Sequence, residues 1–197
     1  MAARTYDEVA ARYDAAMRPL ERWFLRRWRT ELLAQLPEDG MILEVGAGTG
    51  LNFEFYRRHW LGVATEPSIE MLKIAKHKSR PEGLTLVQSF AEKLPFRSAS
   101  FDAAFASLVF CTIESPPAVF SELRRVVRPG GIVVLLDHVR PHGLLGTVFD
   151  LINMCTVPLC GDHVNRRTST AASLSGLRVL RTQKKALGIF NLITCRV

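Results

Sequence analysis

Three glycines at alternate positions, Gly46, Gly48 and Gly50, follow directly on the run Ile42-Leu43-Glu44-Val45. A short apolar run suits a strand buried on both faces of a parallel sheet. Glycine lets the chain turn with positive φ and lets a ligand reach the backbone without meeting a Cβ. A loop of this kind, set between a strand and a helix, is where an open α/β sheet holds a nucleotide-like ligand.

The sequence around that loop alternates between two periodicities. Strands are predicted over 41–45, 61–65, 84–88, 101–107 and 132–137, with helices over 52–58, 68–78 and 117–127 between them. Ser68 is placed to cap its helix, and Arg128-Pro129-Gly130-Gly131 reads as a helix stop. Residues 6–36 read as helices broken near Pro19. Segments 177–182 and 189–196 are too close for a crossover helix, which predicts an antiparallel hairpin. The expected fold is α/β and Rossmann-like. It has a doubly wound seven-stranded sheet, mostly parallel with an antiparallel last strand. The run 143–160 breaks the rhythm: it is apolar, with Asp150 as its only charge, and follows the fifth strand on the side where such sheets bind ligands.

At 197 residues, one domain with one sizeable core is expected. Met1 to Glu8 lacks the apolar core of a signal peptide, and no stretch approaches the roughly 18 apolar residues that span a bilayer. Cys111, Cys155, Cys160 and Cys195 form no CxxC pair and no zinc spacing with histidine. These features predict a cytoplasmic protein with reduced thiols and no metal. The net charge of +7 comes entirely from residues 121–197, which carry 11 Lys/Arg against 4 Asp/Glu; residues 1–120 carry 15 of each. A basic half of this kind suits an anionic surface or substrate.

The glycine loop has three supports. Glu66 ends the second strand, 20 residues after Gly46, where a carboxylate accepts ribose hydroxyls. Glu92-Lys93-Leu94-Pro95-Phe96 follows the third strand, and Arg128-Pro129-Gly130-Gly131 precedes the fifth. A dinucleotide loop usually reads GxGxxG and meets a pyrophosphate; here the spacing is tighter and no phosphate-binding lysine follows. That favours a nucleoside cofactor without phosphates, S-adenosylmethionine (SAM).

With these segments the chain resembles the class I SAM-dependent methyltransferases (methyltransferase type 11) over most of residues 41–139. The resemblance implies that Glu44, Gly46, Ala47, Gly48 and Gly50 hold the methionine end of SAM. It implies that Glu66, Pro67 and Met71 serve the ribose side, Ala91 and Glu92 the adenine, and that the Leu108 backbone touches the methionine moiety. Phe90 stands where the family commonly has the acid that contacts the adenine amino group. The family pattern divides the chain into an N-terminal helical lid (1–36), a SAM-binding core (37–139), an apolar substrate cap (140–167) and a C-terminal helix and hairpin (168–197). Tyr13, within Tyr6-Asp7-Glu8-Val9-Ala10-Ala11-Arg12-Tyr13-Asp14, resembles the lid tyrosine that approaches SAM.

On the acceptor side, His138 at the end of the fifth strand is a candidate to orient or deprotonate the acceptor. Tyr13 joins it as a catalytic candidate, and Tyr6, Asp162 and His163 are candidates for binding substrate. Methyl transfer from a sulfonium asks mainly for alignment and exclusion of water. Two subfamilies look similar. The bacterial phosphatidylethanolamine N-methyltransferases match in Asp137-His138-Val139-Arg140-Pro141-His142-Gly143-Leu144-Leu145. The membrane-associated thiol methyltransferases match in Leu108-Val109-Phe110-Cys111-Thr112-Ile113. Quinone-ring C-methyltransferases share the core. The expected acceptor is a phospholipid, phosphatidylethanolamine, or else a small thiol or quinone-like molecule; a non-catalytic SAM-binding regulator is the reading from another class. The segment Arg22-Trp23-Phe24-Leu25-Arg26-Arg27-Trp28-Arg29 suits an anionic membrane surface, peripheral on the inner face, and no nucleic-acid partner is expected.

Overall fold

The computed structural model describes residues 2–141, 143–160 and 163–197. Its centre is a seven-stranded sheet in the order β3-β2-β1-β4-β5-β7-β6. The strands are β1 (Met41–Val45), β2 (Leu61–Glu66), β3 (Leu84–Gln88), β4 (Phe101–Ser107), β5 (Val127–His138), β6 (Arg178–Lys185) and β7 (Phe190–Arg196). The first five pair in parallel; β7 runs antiparallel to β6, as their short connection requires, and antiparallel to β5 as well. The order reverses between β1 and β4, and the glycine loop leaves the carboxyl end of β1 beside that switch.

The alternation of side chains along the strands divides the core in two. Ile42, Ala103, Phe105, Val134, Leu136 and Leu192 face one way, against Leu25, Trp28, Leu32 and Leu33 of the N-terminal helices. Leu43, Val45, Ala104, Val133, Leu135 and Ile193 face the other way, against α4 (Pro116–Val126) and Ala172 of α6 (Thr168–Leu174). A smaller cluster packs around β2 and α3 (Ile69–Lys76).

Three sequence expectations change. Residues 2–33 form one helical run rather than helices broken at Pro19: α1 (Ala2–Leu20) passes through a π-turn (Glu21–Leu25) into α2 (Arg26–Leu33). A wider turn lets a helix absorb an irregularity without ending. The helix expected over 52–58 is only a 3-10 turn, Phe53–Phe55. Tyr56 leaves it in an extended conformation and its hydroxyl donates to the buried Glu44 carboxyl, which draws the chain away from the helical path. Helix α4 (Pro116–Val126) stops before Arg128-Pro129-Gly130-Gly131 as expected, but β5 begins at Val127 rather than at Ile132, across a register shift opposite Phe101 and Ala103. The apolar run folds as α5 (Leu144–Cys160), on which Val148, Leu151, Ile152 and Met154 are exposed.

Candidate active site

A cavity of about 420 Å³ opens at the carboxyl ends of β1, β2 and β4. The glycine loop supplies its floor. Gly46, Gly48 and Gly50 all have positive φ, as the sequence suggested. Their roles differ. A Cβ on Gly46 would lie 2.4 Å from the Val109 side chain, whereas one on Gly48 would meet nothing within 4 Å. Gly46 therefore serves close packing, and Gly48 leaves its backbone open towards the space.

Glu66 is the best-anchored carboxylate of the site. It is buried, with Oε2 accepting from the Gly48 N–H at 2.9 Å and Oε1 from the Ser68 N–H at 3.0 Å. Burial pushes its carboxyl above the ordinary 4.5, against the opposing pull of those two N–H donors. Each oxygen keeps a lone pair for a further donor, which suits the two hydroxyls of a ribose. Pro67, Met71, Ser89, Phe90, Ala91 and Glu92 continue the wall from Glu66. Phe90 is 59% exposed, so an aromatic face borders the cavity at the position where an acid was expected. Leu108, just past the end of β4, also lines it and holds φ +60, a left-handed conformation that an L side chain seldom adopts. The dimensions, the open backbone at Gly48 and the anchored carboxylate fit S-adenosylmethionine.

Helix α1 closes one side through residues spaced seven apart. Tyr6 and Tyr13 line the cavity with their rings edge-to-face at 6.2 Å. On the neighbouring rank, Asp7 accepts from the Ser68 hydroxyl and the Glu70 N–H, so it sits at the start of α3. Asp14 accepts from the Thr49 hydroxyl of the glycine loop and pairs with Lys78 at 2.6 Å. Burial pushes the Tyr13 phenol up to about 12, so it remains a neutral hydroxyl at physiological pH.

Beneath the floor lies a network that the glycine pattern did not reveal. Arg29, buried on α2, donates from Nη1 to Asn52 Oδ1 at 2.7 Å and to Ser107 Oγ at 2.8 Å; its other nitrogens reach Glu21. Asn52 donates in turn to Glu44. Burial raises the Glu44 carboxyl above its ordinary value. Arg29, Asn52 and Ser107 all line the cavity. Arg29 was legible as the one charged residue on the apolar stripe Leu25, Leu32, Leu36.

The structure brings together Tyr6, Tyr13, Gly46, Ala47, Gly48, Glu66, Pro67, Met71, Ala91, Glu92 and Leu108 around this cavity. Glu44 and Gly50 lie in the layer below. Glu44 points to the α2 face and is held by Asn52 and Tyr56, and Gly50 packs against the Phe53 ring. His138 does not line the cavity. It shares the parity of Val134 and Leu136 along β5, which turns its ring to the α2 face and edge-on to Phe190 at 6.3 Å. The His163 N–H donates to the Cys111 carbonyl at 2.8 Å, and the side chain stays off the cavity wall. Asp162 lies outside the described residues.

Comparison with known proteins gives consistent relatives. A family model described as "Methyltransferase domain" matches residues 43–135. A demethylmenaquinone methyltransferase of Renibacterium salmoninarum is 31% identical over 178 residues, covering 88% of this chain and 74% of that enzyme. A phosphatidylethanolamine N-methyltransferase of Cereibacter sphaeroides is 31% identical over 150 residues, covering 68% of this chain and 74% of the relative. Among solved structures, a SAM-dependent methyltransferase from Thermotoga maritima superposes with a TM-score of 0.75 at 19% identity, covering 100% of this chain and 99% of that one. At that identity the likeness is one of fold.

Proposed function

The chain belongs to the SAM-dependent methyltransferases, and from that membership we propose that it transfers a methyl group to the amine of a phospholipid, converting phosphatidylethanolamine towards phosphatidylcholine. The observation that carries this reading is the charge of the cavity wall. Glu66, Glu92 and Glu114 line it, while Arg29 is already engaged by Glu21, Asn52 and Ser107. The aromatic faces of Tyr6, Tyr13 and Phe90 add to a wall that favours cations, both a sulfonium and an amine headgroup.

When bound, SAM supplies an electrophilic methyl group on a positively charged sulfur. The protein's own task is to align the acceptor and exclude water. On this reading Glu66 and the Gly48 backbone hold the nucleoside and methionine portions. Tyr6 and Tyr13 shape the acceptor side from α1. Tyr13 orients an acceptor as a neutral hydrogen-bonding hydroxyl and does not remove its proton. The amine must lose its proton before it attacks, and Glu114 and Glu92 are the carboxylates on the wall suited to receive it. His138 takes no part in this step, with its ring on the Phe190 side. The basic residues of 121–197 support a position on the anionic inner face of a membrane.

A second reading has a quinone-like ring as acceptor. It is favoured by the Renibacterium salmoninarum relative, which matches 88% of this chain. Labelled SAM incubated separately with phosphatidylethanolamine vesicles, a demethylated naphthoquinol and an alkyl thiol separates the readings. Methylated lipid is the expected product. Label in the quinol or thiol fraction, with none in lipid, replaces the first reading.

A further inference from the structure

The β6–β7 turn closes the hairpin through left-handed backbone and holds an apolar side chain outward. Ala186 and Leu187 have φ of 44° and 58°, consecutive left-handed positions that usually carry Asn or Gly. Leu187 is 92% exposed. We propose that this turn, together with Trp23 and Phe24, docks the protein on an anionic lipid bilayer.

The two segments meet on one side of the molecule. Lys185, at the end of β6, pairs with Glu31 of α2. Phe190, at the start of β7, lies 5.1 Å from the Trp28 ring, which lies 5.7 Å from Phe24. Phe24, Trp28 and Glu31 share one helical face at spacings of four and three residues. The turn therefore emerges beside the exposed Phe24 and Trp23, the latter 71% exposed with the Arg22 guanidinium over its ring at 5.7 Å. This is the residue set of an interfacial site, with protruding aromatic and aliphatic side chains among arginines and lysines.

Charge selects the occupant. β6 is the edge strand of the sheet and carries Arg178, Arg181, Lys184 and Lys185 with no acid. With Lys185 held by Glu31, Arg178, Arg181 and Lys184 remain as exposed like charges along an open edge and repel a second copy of the same edge. They attract a surface of lipid phosphates. Among the described residues no helix is long and apolar enough to cross a membrane, so the protein would lie on the bilayer through these side chains. The surface goes beyond the proposed acceptor and is independent of which molecule is methylated, because vesicle binding needs no turnover.

The test is sedimentation of the whole chain with vesicles of equal parts phosphatidylcholine and phosphatidylglycerol, and with phosphatidylcholine alone. Binding is expected to the first, weak to the second, and reduced by salt. Leu187→Asn and Trp23→Ser should each weaken it on the order of tenfold, the scale of losing one inserted apolar side chain. SAM affinity by titration calorimetry should not change, and Leu187→Asn suits the left-handed backbone, so a folding defect is not the cause. Equal binding by both variants, or no preference for the anionic vesicles, overturns the proposal. A concentration-dependent dimer in sedimentation velocity that Leu187→Asn abolishes also overturns it, in favour of a second copy.

Discussion

Arg29 donates to Asn52 across 2.7 Å inside the protein, joining the N-terminal helical run to the segment that follows the glycine loop. The same guanidinium reaches Ser107 at the end of β4. One side chain thus ties together three parts of the chain that border the cofactor cavity. Arg29→Leu keeps the bulk but leaves Glu21 and Asn52 without their donor. It is expected to destabilise the protein by about 3 kcal/mol, as breaking a buried ion pair does, read as a lowered midpoint in urea unfolding.

Glu66→Ala removes an acceptor with both oxygens fixed, and SAM affinity by calorimetry should fall about a hundredfold. Burial holds this carboxyl above the ordinary 4.5, so binding should weaken on acidification at a pH higher than for an exposed glutamate. The stability effect has the opposite sign. A raised folded value contributes stability below the unfolded value, and that contribution is lost as pH rises through the raised one. Acid therefore lowers affinity while this group favours the fold.

Tyr13→Phe should lower turnover about tenfold through the loss of one hydrogen bond. The shape of the pH–rate profile below pH 9 should not change, because a phenol pushed up to about 12 is neutral throughout that range. A limb of the profile that disappears in the variant would assign Tyr13 a proton-transfer role instead.

Asp7 fastens α1 to the start of α3, and the Ser68 hydroxyl and Glu70 N–H hold its carboxyl below the ordinary 3.8. The contact stabilises above the unfolded value and is lost as pH falls through the lowered one. Asp7→Asn should speed amide exchange along α1 at neutral pH and weaken SAM several-fold, with little change in α4.

The glycine loop, Glu66 and the strand rhythm were legible because they obey local rules. Alternate glycines mark a backbone turn with positive φ, a strand shows in its apolar run, and Ser68 caps α3 from its own position. His138 and Glu44 show the limit of such rules. Each ends a strand or lies within one near the expected cavity, yet their parity along β5 and β1 turns them to the α2 face. Position along a strand tells which end of the sheet a residue occupies, but not whether its side chain reaches the cavity: Val45 and Ser107, of opposite parity, both line it, while Glu44 is held by Asn52 and Tyr56 and the His138 ring lies against Phe190.

The sequence by itself determined the strand rhythm, the positive-φ glycine loop and the Ser68 cap, since each depends on neighbours a few residues away. Only the tertiary structure decided that Arg29 reaches the cavity wall from α2 to hold Ser107, and that Asp7 and Asp14 fasten α1 to the start of α3 and to the glycine loop. Those hydrogen bonds join residues 35 to 78 positions apart. No local periodicity encodes such distances. They follow from burying two faces of one sheet at once, which fixes what meets at its edges and ends.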